Sequence, residues 1–417
     1  MFNEQKSFIK ALFSNSSGFL LLRELKYVIL GPKLIHSDTI NPWSSKVIST
    51  KERKEAISLA VSWLLYAQQK MPDNGFGSFS IITGWSHSYP ETTGYIIPTL
   101  LNYAKKCNNS KTKESAIKAA DWLLAIQKKT GGWQGGYVDD DDPESVFNTG
   151  QILRGMIAAY RETNKQEYLV AIINDCDWLC SVQNSLGFWD KNTYLNMVRV
   201  YDSYVDAPLL MAYQITNEQK YKDAAINNLD WVLTKQRLNG WFDDCDNTIW
   251  GNSNPILHTL CYTIDGLLDS GIILNEQKYI EAAILASNEL FNKFNKKKYL
   301  KGRLNENWNG TVQYIILTGY AQLAIIWFRL YKLTKNIQYL NSAMKLNDFL
   351  IFSQNRDNKE LPNTKGALAG SFPIWGSYQS YTFPNWATKY FIDSLMLEQE
   401  CLALVEEKQL HEISTHH

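Results

Sequence analysis

The stretch between Trp85 and Tyr95 carries the residue types that proton-transfer chemistry requires. His87, Tyr89 and Glu91 alternate along it, so an extended backbone would place all three side chains on one side. Histidine titrates near neutral pH and tyrosine can donate a proton, which is the pair that an elimination or an epimerisation needs. The competing interpretation is that Glu91 caps a helix and His87 only forms a hydrogen bond.

Two further stretches could contribute charged or titratable groups. Arg199 could bind a carboxylate through two parallel hydrogen bonds, or could bridge internally to Asp202 or Asp206. His258 lies near the start of an apolar stretch, with Tyr262 four residues later; a lone histidine there is more often a satisfied core residue than a catalyst. The predicted catalytic set is His87, Tyr89, Glu91, Arg199, His258 and Tyr262.

Aromatic residues interleaved with Asn, Asp, Arg, Ser and Gly recur in the same parts of the chain. Aromatic rings can stack on sugar faces, and the polar residues between them supply hydrogen bonds that a hydrocarbon ligand would leave unpaired. The pattern therefore favours a polyhydroxylated ligand. The predicted substrate-binding residues are Trp85, Trp133, Asp141, Trp189, Tyr201, Asp202, Trp241, Trp250, Glu306, Trp308, Trp375 and Tyr378.

A sixfold repeat must position these residues. An amphipathic helix recurs every 53 to 60 residues, and each copy is followed by a long connection, a more apolar helix and a short return such as TNKQEY. Helices that are apolar on most sides must be enclosed, so the pattern predicts an all-α (α/α)6 toroid of six helical hairpins. The column that aligns the copies holds Trp63, Trp122, Trp178, Trp231, Glu289 and Phe349. All the long connections then emerge at one end, where we expect the site.

The repeat divides the chain into three parts: an N-terminal helical cap or extension at 1–50, the toroid at 51–403 and a polar C-terminal tail at 404–417. The apolar runs of the first part are broken by polar residues, which is untypical of a signal peptide or a membrane span. We therefore expect a cytoplasmic protein, with peripheral membrane contact left open. Lys plus Arg and Asp plus Glu both number 42, so no overall charge recruits nucleic acid. Six scattered cysteines do not suggest a disulfide framework.

The first four hairpins contain Trp, Leu or Val, three residues, Gln, and then Gly and an aromatic residue. The clearest copy runs from Trp122 through Gln127 to Trp133. This pattern resembles the QW repeat of squalene and hopene cyclases, and the toroid resembles the β subunits of protein prenyltransferases. The same barrel is used by six-hairpin glycosidases and by uronate lyases and epimerases. In physical terms, the glutamine would cap a neighbouring helix end or loop.

Each resemblance implies a specific site. Terpene cyclases protonate an alkene with the middle Asp of a D-x-D-D run, which would be Asp141 within 139–142. Prenyltransferases bind zinc through a D-x-C pair and a later histidine, which implies a weak zinc alternative at Asp243, Cys245 and His258. Both zinc elements lie in one hairpin here, which departs from the family. Our main prediction contains neither metal nor cofactor.

The sequence as a whole favours a carbohydrate-active enzyme that acts on an acidic polysaccharide or a lipid-linked glycan. As a uronate lyase or C5-epimerase, the protein would neutralise the substrate carboxylate with Arg199. His87 or His258 would be the base, and Tyr89 or Tyr262 the acid. An isoprenoid cyclase or prenyltransferase-like enzyme, and a non-catalytic glycan- or protein-binding toroid, are the alternatives.

As a glycosidase, the protein would need two carboxyl groups that flank the scissile bond. Glu91 would be one of them. The other would be Asp141, Asp202 or Glu306, and the sequence does not decide among these three.

Overall fold

The computed structural model describes residues 48–247, 253–356 and 361–414, and helices that alternate between an outer and an inner ring dominate this part of the chain. The outer helices are α1 (Thr50–Gln69), α3 (Ser110–Ala125), α5 (Gln166–Ser181), α7 (Gln219–Thr234), α9 (Gln277–Lys297) and α11 (Ile337–Ser353). The inner helices are α2 (Pro90–Cys107), α4 (Val146–Thr163), α6 (Ser203–Thr216), α8 (Leu257–Leu274), α10 (Leu317–Thr334) and α12 (Asn385–Ser414). The predicted all-α toroid is confirmed.

The inner helices form a closed ring. Each packs against the next, and α12 packs against α2 to complete the circle. Burial follows the expected division, because α10 is buried on most of its circumference whereas α9 is buried along one stripe. The N-terminal ends of all six inner helices therefore lie at the same end of the barrel as the long connections.

Glutamines at one position of the repeat join neighbouring hairpins. Gln127 Nε2 donates to the carbonyl oxygens of Gly131, in its own connection, and Ala171, in the next outer helix, at 2.8 and 3.0 Å. Gln354 Nε2 likewise donates to the carbonyl oxygen of Ala56 in α1 at 3.0 Å, which links the last hairpin to the first. Gln68, Gln183 and Gln236 make the same two kinds of contact. Each such side chain satisfies carbonyls that would otherwise lack a partner.

Tyrosines at the short returns hold the other end of the barrel. Tyr221 is fully buried, and its hydroxyl donates to Asp177 at 2.7 Å. Tyr168, Tyr279 and Tyr339 make the equivalent bonds to Asp121, Asp230 and Asn288. Each tyrosine therefore ties the start of one outer helix to the preceding outer helix.

Short strands tie the long connections together. They are β1 (Phe79–Ser80), β2 (Gly84–Trp85), β3 (Ile315–Ile316), β4 (Ser371–Phe372) and β5 (Thr382–Phe383). β1 pairs with both β2 and β5, and β3 pairs with β4, in each case antiparallel. The sixth connection is thereby fixed to the first and the fifth, which closes the ring at the connection-rich end.

The predicted domain limits are met only in part by the described residues. Most of the predicted N-terminal cap, residues 1–47, lies outside them. The last helix continues to Ser414, so the segment predicted as a tail from 404 begins as helix. None of the helices in the described ranges is both long and apolar enough to cross a membrane.

Candidate active site

A cavity of about 630 Å³ opens at the connection-rich end of the barrel. Its walls come from the first turns of the inner helices and from the connections that precede them. Residues that line it include Tyr89, Glu91, Phe147, Asn148, Tyr201, His258, Tyr262, Tyr378 and Trp386. The size is within the range typical of small-molecule sites.

Three carboxyl groups line the cavity, those of Glu91, Asp142 and Glu144, and Glu91 is the buried one. It lies in the first turn of α2, and the side chain is almost fully buried. Burial raises the pKa of Glu91 to about 7, and a hydrogen bond from Tyr89 opposes part of that rise. A carboxyl group with this pKa is present in both protonation states near neutral pH, so it can serve as an acid or a base.

Asp202 immediately precedes α6 and is 2 % exposed. Burial raises the pKa of Asp202 to about 8, although the positive charge of Arg199 lowers it in part. Its Oδ2 atom has no hydrogen-bond partner among the described residues. The adjacent Tyr201 lines the cavity, whereas Asp202 itself does not. Buried acids with perturbed pKa values cluster at functional sites.

His258 contributes a neutral imidazole. It lies in the first turn of α8, and its Nδ1 contacts Gln322 Oε1 at 2.6 Å. A carboxamide oxygen only accepts hydrogen bonds, so Nδ1 carries the proton and Nε2 keeps its lone pair. Burial lowers the pKa of His258 to about 4. The ring lies 4.3 Å from that of Tyr262, between centroids, so a base and a hydroxyl adjoin in the wall.

A layer of aromatic rings forms the floor of the cavity. The ring centroids of Tyr262 lie 4.9 Å from Phe147 and 4.7 Å from Tyr204. Tyr95 and Tyr390 adjoin this layer at 5.5 Å from each other. The cavity therefore ends within the barrel, which suits the terminal unit of a chain-like ligand.

His87 does not share a side with Tyr89 and Glu91. Its side chain is 67 % exposed, and Nδ1 lies 2.6 Å from Asp139 at the surface. The alternation that placed the three residues together requires an extended backbone, but α2 begins at Pro90. The cavity therefore contains Tyr89 and Glu91 and lacks His87.

Arg199 is buried rather than presented to the cavity. Its Nη1 donates to the carbonyl oxygen of Val198 at 3.2 Å, and Nη2 lies 3.1 Å from Met197 Sδ. No Lys or Arg is among the described residues that line the cavity. The expected anchor for a substrate carboxylate is therefore not observed, and the charge of Arg199 acts on Asp202 instead.

The connection tryptophans pack into the protein. Trp133 Nε1 donates to the carbonyl oxygen of Leu123 at 2.8 Å, and Trp189 Nε1 donates to that of Leu179 at 3.0 Å. Both rings are buried, and each pins a connection to the helix before it. Trp241 and Trp308 pack edge to face, Trp85 stacks on Trp63, and Trp375 packs against the core. None of the predicted tryptophans Trp85, Trp133, Trp189, Trp241, Trp308 and Trp375 lines the cavity, contrary to the prediction of substrate contact. Trp250 lies outside the described residues.

Two of the predicted carboxylates are at the surface. The side chain of Asp141 is 97 % exposed, and Glu306 forms an exposed ion pair with Arg237. Among the three partners considered for Glu91, only Asp202 is buried, and none of the three is a residue that lines the cavity. Tyr201 and Tyr378, two of the predicted substrate-binding residues, line the cavity.

The residues of the zinc alternative do not converge. Asp243 pairs with Arg237 at 2.8 Å, whereas Cys245 Sγ lies 3.4 Å from Thr263 Oγ1. His258 is engaged by Gln322. Within the described ranges, no group of three or more His, Cys, Asp or Glu residues is arranged to hold a metal ion.

Sequence reasoning missed several cavity residues, among them Phe147, Asn148 and Thr259. A common signal was available, because polar residues occur in the first turn of otherwise apolar inner helices. Glu91, Asn148 and His258 all follow this rule. Comparison of the first turns across the six repeats would have identified Asn148 together with Glu91.

Comparison with known families and proteins gives one family match. Residues 135–299 match Glycosyl Hydrolase Family 88. The matched segment contains Asn148, Asp202, His258 and Tyr262, whereas Glu91 lies before it. No curated protein matches the chain.

Solved structures that resemble this chain include enzymes whose names refer to sugars. An unsaturated glucuronyl hydrolase specific for heparin is 18 % identical, with a TM-score of 0.68 over 84 % of this chain and 98 % of that one. The enzyme of similar name from Bacillus sp. GL1 is 12 % identical, with a TM-score of 0.66 over 82 % and 96 %. Cellobiose 2-epimerase from Bacillus thermoamylovorans B4167 is 12 % identical, with a TM-score of 0.67 over 84 % and 98 %. These similarities show the fold, and together with the family match they confirm the prediction of a carbohydrate-active enzyme.

Proposed function

We propose that the protein is a glycoside hydrolase that removes the terminal unit of an acidic oligosaccharide, with Glu91 and Asp202 as its two acids. The observation that carries the proposal is the pair of buried carboxyl groups at the connection-rich end, both with a raised pKa. The aromatic floor supports action at a chain end, because it stops a longer chain from passing through the cavity.

Burial raises the pKa of Asp202 to about 8 and that of Glu91 to about 7, so both groups can hold a proton near neutral pH. We assign the proton to Asp202, whose pKa is raised further from its ordinary value. Asp202 is then the proton donor, and Glu91 is the base that takes a proton from water. The proposal requires Asp202, whose Oδ2 is buried and unpaired, to reach the substrate past Tyr201, which lines the cavity.

The glucuronyl hydrolases among the structural neighbours suggest the substrate class, a 4,5-unsaturated uronyl sugar at the chain end. Its C4–C5 double bond is an enol ether, because C5 carries the ring oxygen. A proton from Asp202 would add to C4, and the cation at C5 would be stabilised by that oxygen. Water that loses its proton to Glu91 would then add to C5. The hemiketal opens, and C1 expels the attached sugar.

An acidic substrate needs positive potential, and the described cavity wall has no Lys or Arg to supply it. The six inner helices all begin at this end, and helix N-termini carry partial positive charge and unsatisfied N–H groups. Protonated Asp202 adds no negative charge. Arg199 is not among the residues that line the cavity, so the role predicted for it in a lyase or C5-epimerase mechanism lacks support from the geometry.

One observation favours a second candidate, a sugar epimerase or isomerase. His258 is neutral with Nε2 available, and the Tyr262 ring adjoins it. A base and an acid placed in this way could move a proton at a carbon next to a carbonyl. Cellobiose 2-epimerase, whose structure is similar, supports this candidate.

One NMR experiment separates the two functions. The protein would be incubated in deuterated water with unsaturated uronyl disaccharides, their saturated counterparts, cellobiose and mannose. Hydrolysis predicts loss of the vinyl proton signal and release of a reducing sugar. Epimerisation predicts deuterium at C2 of cellobiose or mannose instead. If every substrate remained unchanged, both candidates would be contradicted for these substrate classes.

Several further expectations drawn from the sequence stay predictions. They are the cytoplasmic location, the lack of nucleic-acid binding, the lipid-linked glycan as substrate, the isoprenoid alternative and the division into cap, toroid and tail. The family match supports only the carbohydrate substrate.

A further inference from the structure

A second cavity opens at the opposite end of the barrel. We call it the lower cavity; it has a volume of about 1020 Å³ and is lined by the C-terminal parts of the inner helices. Its floor contains Tyr95, Tyr204 and Tyr390. Tyr95 also lines the candidate active site, so a layer about one side chain thick separates the two cavities.

Charged side chains occupy the lower cavity where an ordinary barrel core would be apolar. Arg154 Nη1 lies 3.5 Å from Asp269, and its guanidinium carbon lies 4.1 Å from the centre of the Tyr204 ring. Arg329 Nη1 contacts Asp265 at 2.7 Å and Asp269 at 3.4 Å. Replacing buried ion pairs by well-packed apolar residues is often neutral or stabilising, so fold stability alone does not account for these charges.

The deepest cation lies against the tyrosine floor. Lys389 Nζ is 3.9 Å from the centre of the Tyr390 ring and 5.0 Å from that of Tyr95. It pairs with Asp393 at 2.9 Å, and the Lys389 side chain is only 8 % exposed. Burial lowers the pKa of Lys389, and the charge of Asp393 opposes that change. An ammonium group thus covers one face of the Tyr390 ring, with the Asp393 carboxylate beside it.

The balance of charge selects the kind of ligand. Each of the three inner cations, Arg154, Arg329 and Lys389, already has a carboxylate partner. An anionic ligand would compete with those carboxylates, and a cationic ligand would compete with the guanidinium groups. A hydroxyl group both donates and accepts, so a neutral polyol can bond to both members of each pair at once. The apolar part of the lining, which includes Ile157, Met211 and Leu397, can in turn contact the C–H groups of a sugar.

We propose that the lower cavity is a second, non-catalytic binding site for a neutral monosaccharide or disaccharide. The volume is at the upper end of the range for small-molecule sites, which accommodates one or two sugar rings. The proposal rests on the lower cavity alone and does not require the proposed hydrolase activity.

Titration calorimetry on the full chain tests this inference. The ligands are glucose, galactose, mannose, N-acetylglucosamine and cellobiose, with glucuronate, glucosamine and inorganic phosphate as charged comparisons. Ala158→Phe fills the lower cavity without removing a charge, because Ala158 lines it. Asp269→Asn removes a carboxylate that two arginines share. Val170→Phe, on the exposed outer surface, is the matched control, and circular dichroism verifies the fold of each variant.

We expect at least one neutral sugar to bind the wild type and Val170→Phe equally. Binding should weaken about tenfold or more in Ala158→Phe and Asp269→Asn. The proposal is overturned if no neutral sugar binds or if only charged ligands bind. It is also overturned if Ala158→Phe binds the sugar as tightly as the wild type does, since the sugar would then occupy another site. None of these outcomes depends on hydrolysis.

Discussion

Replacing Glu91 by Gln should stabilise the protein above neutral pH while it removes activity. The carboxyl group has a pKa of about 7 in the folded chain because it is buried, against an ordinary value of 4.5. In the unfolded chain the group ionises from pH 4.5 upward, whereas the folded chain holds the proton until about pH 7. Stability is therefore lost as the pH rises through this window, and the full loss is present above pH 7.

The size of the effect follows from the pKa shift. A rise of 2.5 pKa units corresponds to about 3 kcal/mol at alkaline pH, and to less than about 1 kcal/mol near pH 5. Glutamine has the same shape, cannot ionise, and can still accept the hydrogen bond from Tyr89. The unfolding free energy of the Glu91→Gln variant relative to wild type should therefore increase by about 2 to 3 kcal/mol when the pH is raised from about 5 to about 8.

Urea unfolding followed by tryptophan fluorescence at these two pH values measures the difference. Glu306→Gln is the matched control, because Glu306 forms an exposed ion pair with Arg237. Its effect should stay within about 1 kcal/mol at both pH values. A Glu91→Gln variant that is less stable than wild type at pH 8, or whose difference from wild type does not change with pH, would refute the assignment of Glu91 as a strained, buried acid.

Three further predictions follow from the contacts described above. Gln127→Ala removes hydrogen bonds to Gly131 and Ala171 and should cost about 1 to 3 kcal/mol of unfolding free energy, whereas the exposed Gln166→Ala should cost little; urea unfolding decides. Gly131→Ala should be more destabilising in the same assay than Gly84→Ala. Both glycines have positive φ, but only at position 131 would the new Cβ meet a carbonyl oxygen, that of Asn174; equal losses of unfolding free energy would contradict this. The pH profile of kcat/KM for the proposed hydrolase activity should peak between about pH 7 and pH 8. Arg199→Met should move the alkaline limb of that profile to higher pH, because the charge of Arg199 lowers the pKa of Asp202; an unmoved limb would contradict the assignment of that limb to Asp202.

The toroid could be predicted because its determinants are local and repeated. The apolar inner helices and the short returns recur in almost every hairpin, and each recurrence constrains the others. The glutamine of the repeat is replaced in the fifth hairpin by Phe294, which is buried. That hairpin substitutes apolar packing for the paired carbonyl contacts, so the fold survives the loss of the motif.

The site was predicted less well because a sequence does not specify which way a connection folds. Trp133 and Trp189 were predicted to stack on sugar rings, yet each donates a hydrogen bond from Nε1 to the carbonyl oxygen of the residue ten positions earlier. Their identical spacing in two repeats was a sign of a structural role. His87 was misplaced for a different reason, because the start of α2 at Pro90 ended the alternation.

Burial also decided between residues that look alike in sequence. Nothing in the sequence distinguishes Asp141, Asp202 and Glu306 as candidate catalytic carboxyl groups. Only long-range packing makes Asp202 the buried one. Arg199 precedes Asp202 by three residues in the chain, but its burial changes its role from substrate anchor to a charge that lowers the pKa of Asp202. Such distinctions require the packed barrel.

The central claim is that Glu91 and Asp202 hydrolyse a terminal uronyl sugar. The most direct measurement is the initial rate of consumption of an unsaturated uronyl disaccharide, followed by the ultraviolet absorbance of its conjugated double bond, for wild type, Asp202→Asn and Asp141→Asn. The account predicts that Asp202→Asn lowers kcat by about 100-fold or more. The exposed Asp141→Asn should leave the rate unchanged. Full activity of Asp202→Asn, or an equal loss in both variants, would contradict it.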